Sequence, residues 1–109
     1  DFLTANPDLK VLYVTAGGTY VAAQAIQEMG LTGKVGVVGY DHTPENMEYV
    51  YSGEIIAAIS QDPEGQAWDA SVMLYNKVVS GTEYEDHFAT DNIVVTPETA
   101  VEMYGEYEG

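Results

Sequence analysis

The sequence predicts an α/β domain in which helices flank a parallel β-sheet in three layers. Three observations predict it. Short runs of strand formers alternate with segments of helical spacing roughly 10 to 15 residues long. The strand runs are apolar throughout instead of alternating, as expected of strands in a parallel sheet. The helical segments open on cap residues and close on glycine, as in Thr43-Pro44 to Gly53 and Asp62-Pro63 to Gly81. Strands that alternate with helices in this way are joined by right-handed crossovers.

The elements follow in order. "DFLTANPDLK" reads as the last turn of a helix, stopped at Asn6-Pro7 because the residue before proline is pushed out of the α region. "VLYVT", Val11 to Thr15, is a strand, and its lack of alternation predicts burial on both faces. From Thr19, Ala22, Ala25, Ile26 and Met29 recur at helical spacing, and Gly30 supplies a left-handed stop. "VGVVG", Val35 to Gly39, is a second buried strand. Thr43 then caps a helix with Pro44 at its first position and Met47, Val50 and Tyr51 on one face.

"IIAAIS", Ile55 to Ser60, is a third strand. Asp62 caps a longer helix whose Trp68, Val72, Tyr75 and Val79 form a stripe. "TEYEDHFATDN" is a polar loop, "IVVT" from Ile93 is a fourth, edge strand, and Pro97 opens a short helix carrying Ala100, Val101 and Tyr104 on one side.

The totals fit one domain. At 109 residues the chain buries roughly two-thirds of its unfolded surface, and 46% hydrophobic against 19% charged residues excludes the signature of disorder. Eighteen acidic residues face only Lys10, Lys34 and Lys77, a net charge of -15, which excludes a nucleic-acid contact surface. The same charge is repelled by anionic lipid, so no membrane contact is expected of this segment. Without cysteine there is no disulfide, thiolate or Cys-ligated zinc chemistry. No apolar run reaches membrane-spanning length, and any targeting segment is expected to lie outside these residues.

In open parallel sheets ligands bind beyond the carboxyl ends of the strands. Those ends carry Thr15-Ala16-Gly17, Tyr40-Asp41-His42 and Gln61-Asp62, which should converge on one edge. Gly17-Gly18 between a strand and a helix invites comparison with phosphate loops. It lacks the third glycine of G-x-G-x-x-G and the Lys-Ser/Thr of a P-loop, and Asp41 and Asp62 nearby would repel an anion. Two readings remain: the glycines only permit a tight turn and close helix packing, or they open room for a neutral ligand. Asp41, one position past a buried strand and not needed as a cap, can accept from two hydroxyls of a polyol. Gln61 offers a donor and an acceptor to a hydroxyl pair. Tyr40 stands where a ring could stack on a sugar, whereas Asp62 before Pro63 is a helix cap. His42 beside Asp41 could suggest an acid-base pair, but adjacent residues usually point in different directions, and no serine or cysteine nucleophile has supporting spacing. His87 lies in a distant loop, and neither H-x-x-x-H nor a regular Asp/Asn comb is present, so neither an enzyme, a metal nor a cofactor is expected.

The order of these motifs resembles the C-terminal lobe of type 1 periplasmic-binding-protein-like domains. They include the sugar receptors of ABC importers and the effector-binding cores of LacI-type transcription regulators. The most specific pieces are "VVGYDHTPE" and "SGEIIAAISQDP". The resemblance implies a flavodoxin-like or Rossmann-like lobe that is incomplete, residues 1–109 being part of it, with an N-terminal lobe missing. It places the aspartate of a G-[FY]-D motif on Asp41 and the glutamine of a Q-[DN]-P motif on Gln61. It also implies a small neutral sugar or polyol as ligand, with Ala16-Gly17 departing from the asparagine-aspartate pair of many sugar binders.

A sheet missing its first strand exposes an edge, expected to be covered by a second copy, as in a homodimer, or by further chain. The "VTAGG" form of the first loop favours the regulator, which would be cytoplasmic and touch DNA only through a headpiece outside this segment. The alternative is an extracytoplasmic receptor of an ABC importer.

Overall fold

The computed structural model describes residues 2–107. They form nine elements. These are α1 (Phe2–Ala5), β1 (Val11–Tyr13), α2 (Thr19–Glu28), β2 (Gly36–Tyr40), α3 (Pro44–Ser52), β3 (Ile55–Ser60), α4 (Pro63–Ser80), β4 (Ile93–Val95) and α5 (Pro97–Tyr104). The strands make one sheet in the order β1-β2-β3-β4, and β1, β2 and β3 run parallel to one another. This is an α/β fold with helices flanking a parallel sheet.

The chain divides into two compact units, one running to Ile59 and resuming at Val94, the other Ser60–Ile93. In the first unit the core joins one sheet face to α2, α3 and α5. Val37, Ile55, Ala58 and Val95 from the strands are buried with Ala23 and Ile26, Met47 and Val50, and Ala100 from the three helices. The caps behave as their chemistry dictates. The Thr43 hydroxyl accepts from the Asn46 amide at 3.3 Å ahead of Pro44, and Gly53, at φ 92°, turns the chain out of α3.

At the start of β3 a buried carboxylate, Glu54, accepts from the hydroxyls of Thr32, at 2.8 Å, and of Ser52. Two donors offset the desolvation that makes buried acids rare.

The β2–β3 register slips once. Val37 faces Ile55 but Val38 faces Ala57, so Ile56 is the additional residue of a bulge. Its side chain lies over Gly36, where a Cβ would come within 2.7 Å of the Ile56 Cδ1.

One expectation fails. β1 is not buried on both faces, because Val11 and Tyr13 are about half exposed. The apolar run has the composition of a central strand, but the strand stands at the end of the sheet order, with β2 as its one strand neighbour among the described residues. Its regular pairing also ends at Tyr13, although the Val14 amide still donates to the Val38 carbonyl at 2.8 Å.

In the second unit Asp62 accepts from the Gly65 amide at 3.1 Å to cap α4, and Gly81 ends the helix at φ 66°. The stripe expected along α4 is present, yet Trp68 and Val79 are 71% and 62% exposed. Amphipathic spacing reports the face a helix offers, not whether that face is covered. The loop after α4 is held by Asn76 donating to the Tyr84 hydroxyl, both residues half-buried, and by a Lys77–Glu83 ion pair exposed enough to contribute little.

Candidate functional site

Because β1, β2 and β3 are adjacent and parallel, their carboxyl ends point the same way. Ala16-Gly17 follows β1, Asp41 follows β2, and Gln61 is the first residue after β3. Asp41 continues the ladder, its amide donating to the Ile59 carbonyl at 2.8 Å.

The backbone at Asp41 is unusual. Its φ of 75° lies in the left-handed region, shared among non-glycine residues described here only by Asp62 at 51°. Aspartate tolerates this region better than most residues, but it still costs roughly 1 kcal/mol or more. The side chain is exposed and makes no hydrogen bond to a described residue, so its two oxygens are available to solvent or ligand.

What holds that backbone is Asn46, in the first turn of α3 and 2% exposed. Its Nδ2 donates to the carbonyls of Tyr40 and Asp41, each at 2.8 Å, and its Oδ1 accepts from the Tyr20 amide at 2.8 Å. A single amide thereby ties the end of β2 to the first turn of α2. Thr19, fully buried, adds a hydroxyl donated to the Tyr40 carbonyl at 3.3 Å.

The loop before α2 is opened by glycine. Gly18 takes φ 88° as the residue ahead of the helix, which no side chain caps, and a Cβ added at Gly17 would meet nothing within 4 Å.

Tyr40 is the last residue of β2 and is half-buried. Its hydroxyl accepts from Tyr13 at 2.8 Å, the rings 6.1 Å apart. That bond, with some desolvation, raises the Tyr13 phenol above its ordinary value. His42 is a structural clamp, its Nε2 paired with the Ala58 carbonyl at 3.0 Å and its Nδ1 with the Tyr104 hydroxyl at 2.7 Å. Both ring nitrogens are thereby engaged, and among the described residues no three His, Asp or Glu side chains gather to hold a metal ion.

Gln61 is exposed, its carbonyl bonded by the Gln66 side chain and its own amide group without a described partner. Sequence reasoning finds Asp41 and Gln61 by their strand-end positions. It misses Asn46, because nothing in "PENME" distinguishes a buried tie from a solvated helix residue.

An open parallel sheet with polar groups and a glycine loop at its carboxyl edge is the architecture of a small-molecule binding lobe. The comparisons give the family. The profile described as "Periplasmic binding protein domain" matches residues 1–83, and the chain belongs to that family.

The chain is 41% identical over 63 residues to the D-allose-binding periplasmic protein of Escherichia coli (strain K12), covering 56% of this chain and 20% of that protein. An ABC transporter periplasmic solute binding protein from Actinobacillus succinogenes 130z, solved with bound D-allose, superposes with a TM-score of 0.79. It is 30% identical, with 93% of this chain and 35% of that one covered. A putative LacI transcriptional regulator from Bacteroides fragilis superposes with a TM-score of 0.85 at 21% identity, over 95% of this chain and 35% of that one. That likeness is one of fold. The chain thus spans a fifth to about a third of the length of these relatives.

Proposed function

We propose that this chain is part of the C-terminal lobe of a two-lobed receptor for a neutral, hydroxyl-rich molecule of the sugar or polyol class. The observation that carries the reading is Asp41. Its backbone is held left-handed at a strand end by a buried amide, while its carboxylate stands exposed with no partner among the described residues. A fixed, unpartnered carboxylate beside an open glycine loop suits a ligand that brings hydroxyl donors and little charge.

In this reading Asp41 accepts from two ligand hydroxyls and Gln61, by its place after β3, donates and accepts. Ala16-Gly17 leave room on the β1 side, and Tyr40 contributes its ring. Ligand binding then favours the closed arrangement of the two lobes by its differential affinity for that state. The names of the relatives, a periplasmic allose binder and an allose-bound importer receptor, support both the sugar class and binding in place of catalysis.

For the downstream role the receptor of an ABC importer is the first reading, since those relatives are the ones with sequence identity of 30% or more. Such a receptor works outside the cytoplasm and meets a membrane permease. The effector-sensing core of a regulator is the second, favoured by the "VTAGG" loop and the shared fold. It would be cytoplasmic and homodimeric, with DNA bound through a separate headpiece.

Calorimetry of the full-length receptor with D-allose and a panel of sugars and polyols tests the site. Asp41→Gly removes the carboxylate while accepting φ 75° without strain, and should weaken binding by about 1.5 to 3 kcal/mol. Unchanged affinity would remove Asp41 from the site. The full-length N-terminus separates the roles, as a secretory signal with a lipoprotein cysteine or as a basic helix-turn-helix.

A further inference from the structure

We infer that Asn46 is a positioning residue for ligand binding, acting through the backbone of Asp41 and linking it to the start of α2. The inference rests on the sugar-receptor reading for its effect on affinity, and on geometry alone for its effect on Asp41.

Asn46 is the third residue of α3, a position from which a side chain commonly bonds back to the cap residue of its own helix. Here the backbone amide alone serves the cap, donating to Thr43 at 3.3 Å, and the side chain reaches beyond it. Three of its bonding positions are filled by backbone groups, the carbonyls of Tyr40 and Asp41 and the amide of Tyr20. None of the three partners lies in α3, so the amide adds nothing to its own helix. It fixes instead the two peptide groups that flank the left-handed Cα of Asp41, and so sets where the carboxylate points.

The same side chain holds the amide of the second residue of α2, directly behind the Gly17-Gly18 loop. Movement of that loop on ligand binding is therefore felt at Asp41, and the reverse. A solvated polar residue would do none of this, and an exposure of only 2% excludes that role. Nor would the isosteric acid substitute for it. Asn46→Asp keeps an acceptor for Tyr20 but turns the Nδ2 donor into an oxygen facing two carbonyls.

The test uses the full-length receptor, with D-allose as the probe, and compares Asn46→Ala, Asn46→Asp, Asp41→Gly, the double variant Asp41→Gly/Asn46→Ala, and Thr43→Ala. Thr43→Ala removes the α3 cap and leaves the Asn46 side-chain bonds in place, so it controls for general destabilisation. Two readouts are taken, the calorimetric affinity and the NMR amide shift and HN–Hα coupling of residue 41. Each Asn46 variant should shift the Asp41 coupling away from its left-handed value and weaken D-allose binding by about tenfold or more. In the Asp41→Gly background Asn46→Ala should cost no further affinity, and Thr43→Ala should lower Tm while leaving affinity and coupling unchanged.

An Asp41 coupling that stays put in Asn46→Ala overturns the inference whatever the ligand does, as does an affinity loss that adds fully to that of Asp41→Gly. Should Asn46→Ala fail to fold, Asn46→Asp decides by the same two measurements. A coupling that moves in a receptor that binds neither D-allose nor any sugar or polyol of the panel upholds the positioning of Asp41 and defeats the sugar reading.

Discussion

Gly39 lies directly beneath Thr19, so that a Cβ added at Gly39 would fall 2.9 Å from the Thr19 Cβ and closer still to its hydroxyl and methyl. This close approach lets the first turn of α2 rest on β2 and lets Thr19 reach the Tyr40 carbonyl. Gly39→Ala is therefore expected to destabilise the protein by about 1 to 3 kcal/mol through overpacking. Adding Thr19→Ala should recover much of that loss but not all of it, since the Thr19 Cβ remains in contact. Denaturant melts of the single and double variants measure both.

Asp62 combines a cap with a left-handed backbone, and the two can be separated. Asp62→Ala loses the bond to the Gly65 amide and keeps an unfavourable φ of 51°, whereas Asp62→Gly loses the bond and relieves the backbone. The alanine variant should cost roughly 0.5 to 2 kcal/mol and the glycine variant only a few tenths. Equal losses in a thermal melt would show that the backbone there is unstrained.

Gly65 is tied to the same cap. A Cβ there would sit 2.7 Å from the Asp62 Cγ, so Gly65→Ala should displace the carboxylate. Its cost should match that of removing the cap, and should nearly vanish in an Asp62→Gly background, a non-additivity that a double-mutant cycle measures.

The phenol pair gives a titration test. The Tyr13 hydroxyl donates to Tyr40, which favours the neutral phenol and raises it above 10.0. Tyr40→Phe should bring the Tyr13 titration, followed by the ring carbon shift, back down towards 10.0. A raised folded value means that the pair's contribution is complete below the unfolded pKa and is lost as pH climbs through the folded one. The variant should therefore flatten the alkaline end of the stability profile.

Glu98 supplies the acidic counterpart. The Thr96 hydroxyl holds its carboxyl below the usual range, aided by the Glu98 backbone amide at the start of α5. Its contribution is present above the unfolded carboxyl value and fades as pH falls through the lowered folded one. Glu98→Gln should flatten the acid limb of an unfolding profile and lower the neutral plateau by the same small amount, small because the group is exposed.

Much of this is legible in the chain because its signals are local. Thr43-Pro44 and Gly53 mark α3, Asp62-Pro63 and Gly81 mark α4, and the strand-end rule finds Asp41 and Gln61 from three apolar runs alone. What escapes is set by distant partners. Asn46 bonds groups as far as 26 positions away, and β1 carries the apolar residues of an interior strand while occupying a margin. The glycines at 36 and 39 read as pauses in a pattern, yet each is required by a side chain, Ile56 and Thr19, that the fold brings over it.

The margin at Val11–Tyr13 has a practical consequence. Its outer side has no strand partner among the described residues, and its sheet-face side chains are apolar. Made alone at high concentration, these residues would offer growing aggregates a template, with the heavy negative charge as the chief brake. Salt, by screening that repulsion, should turn a clear solution cloudy.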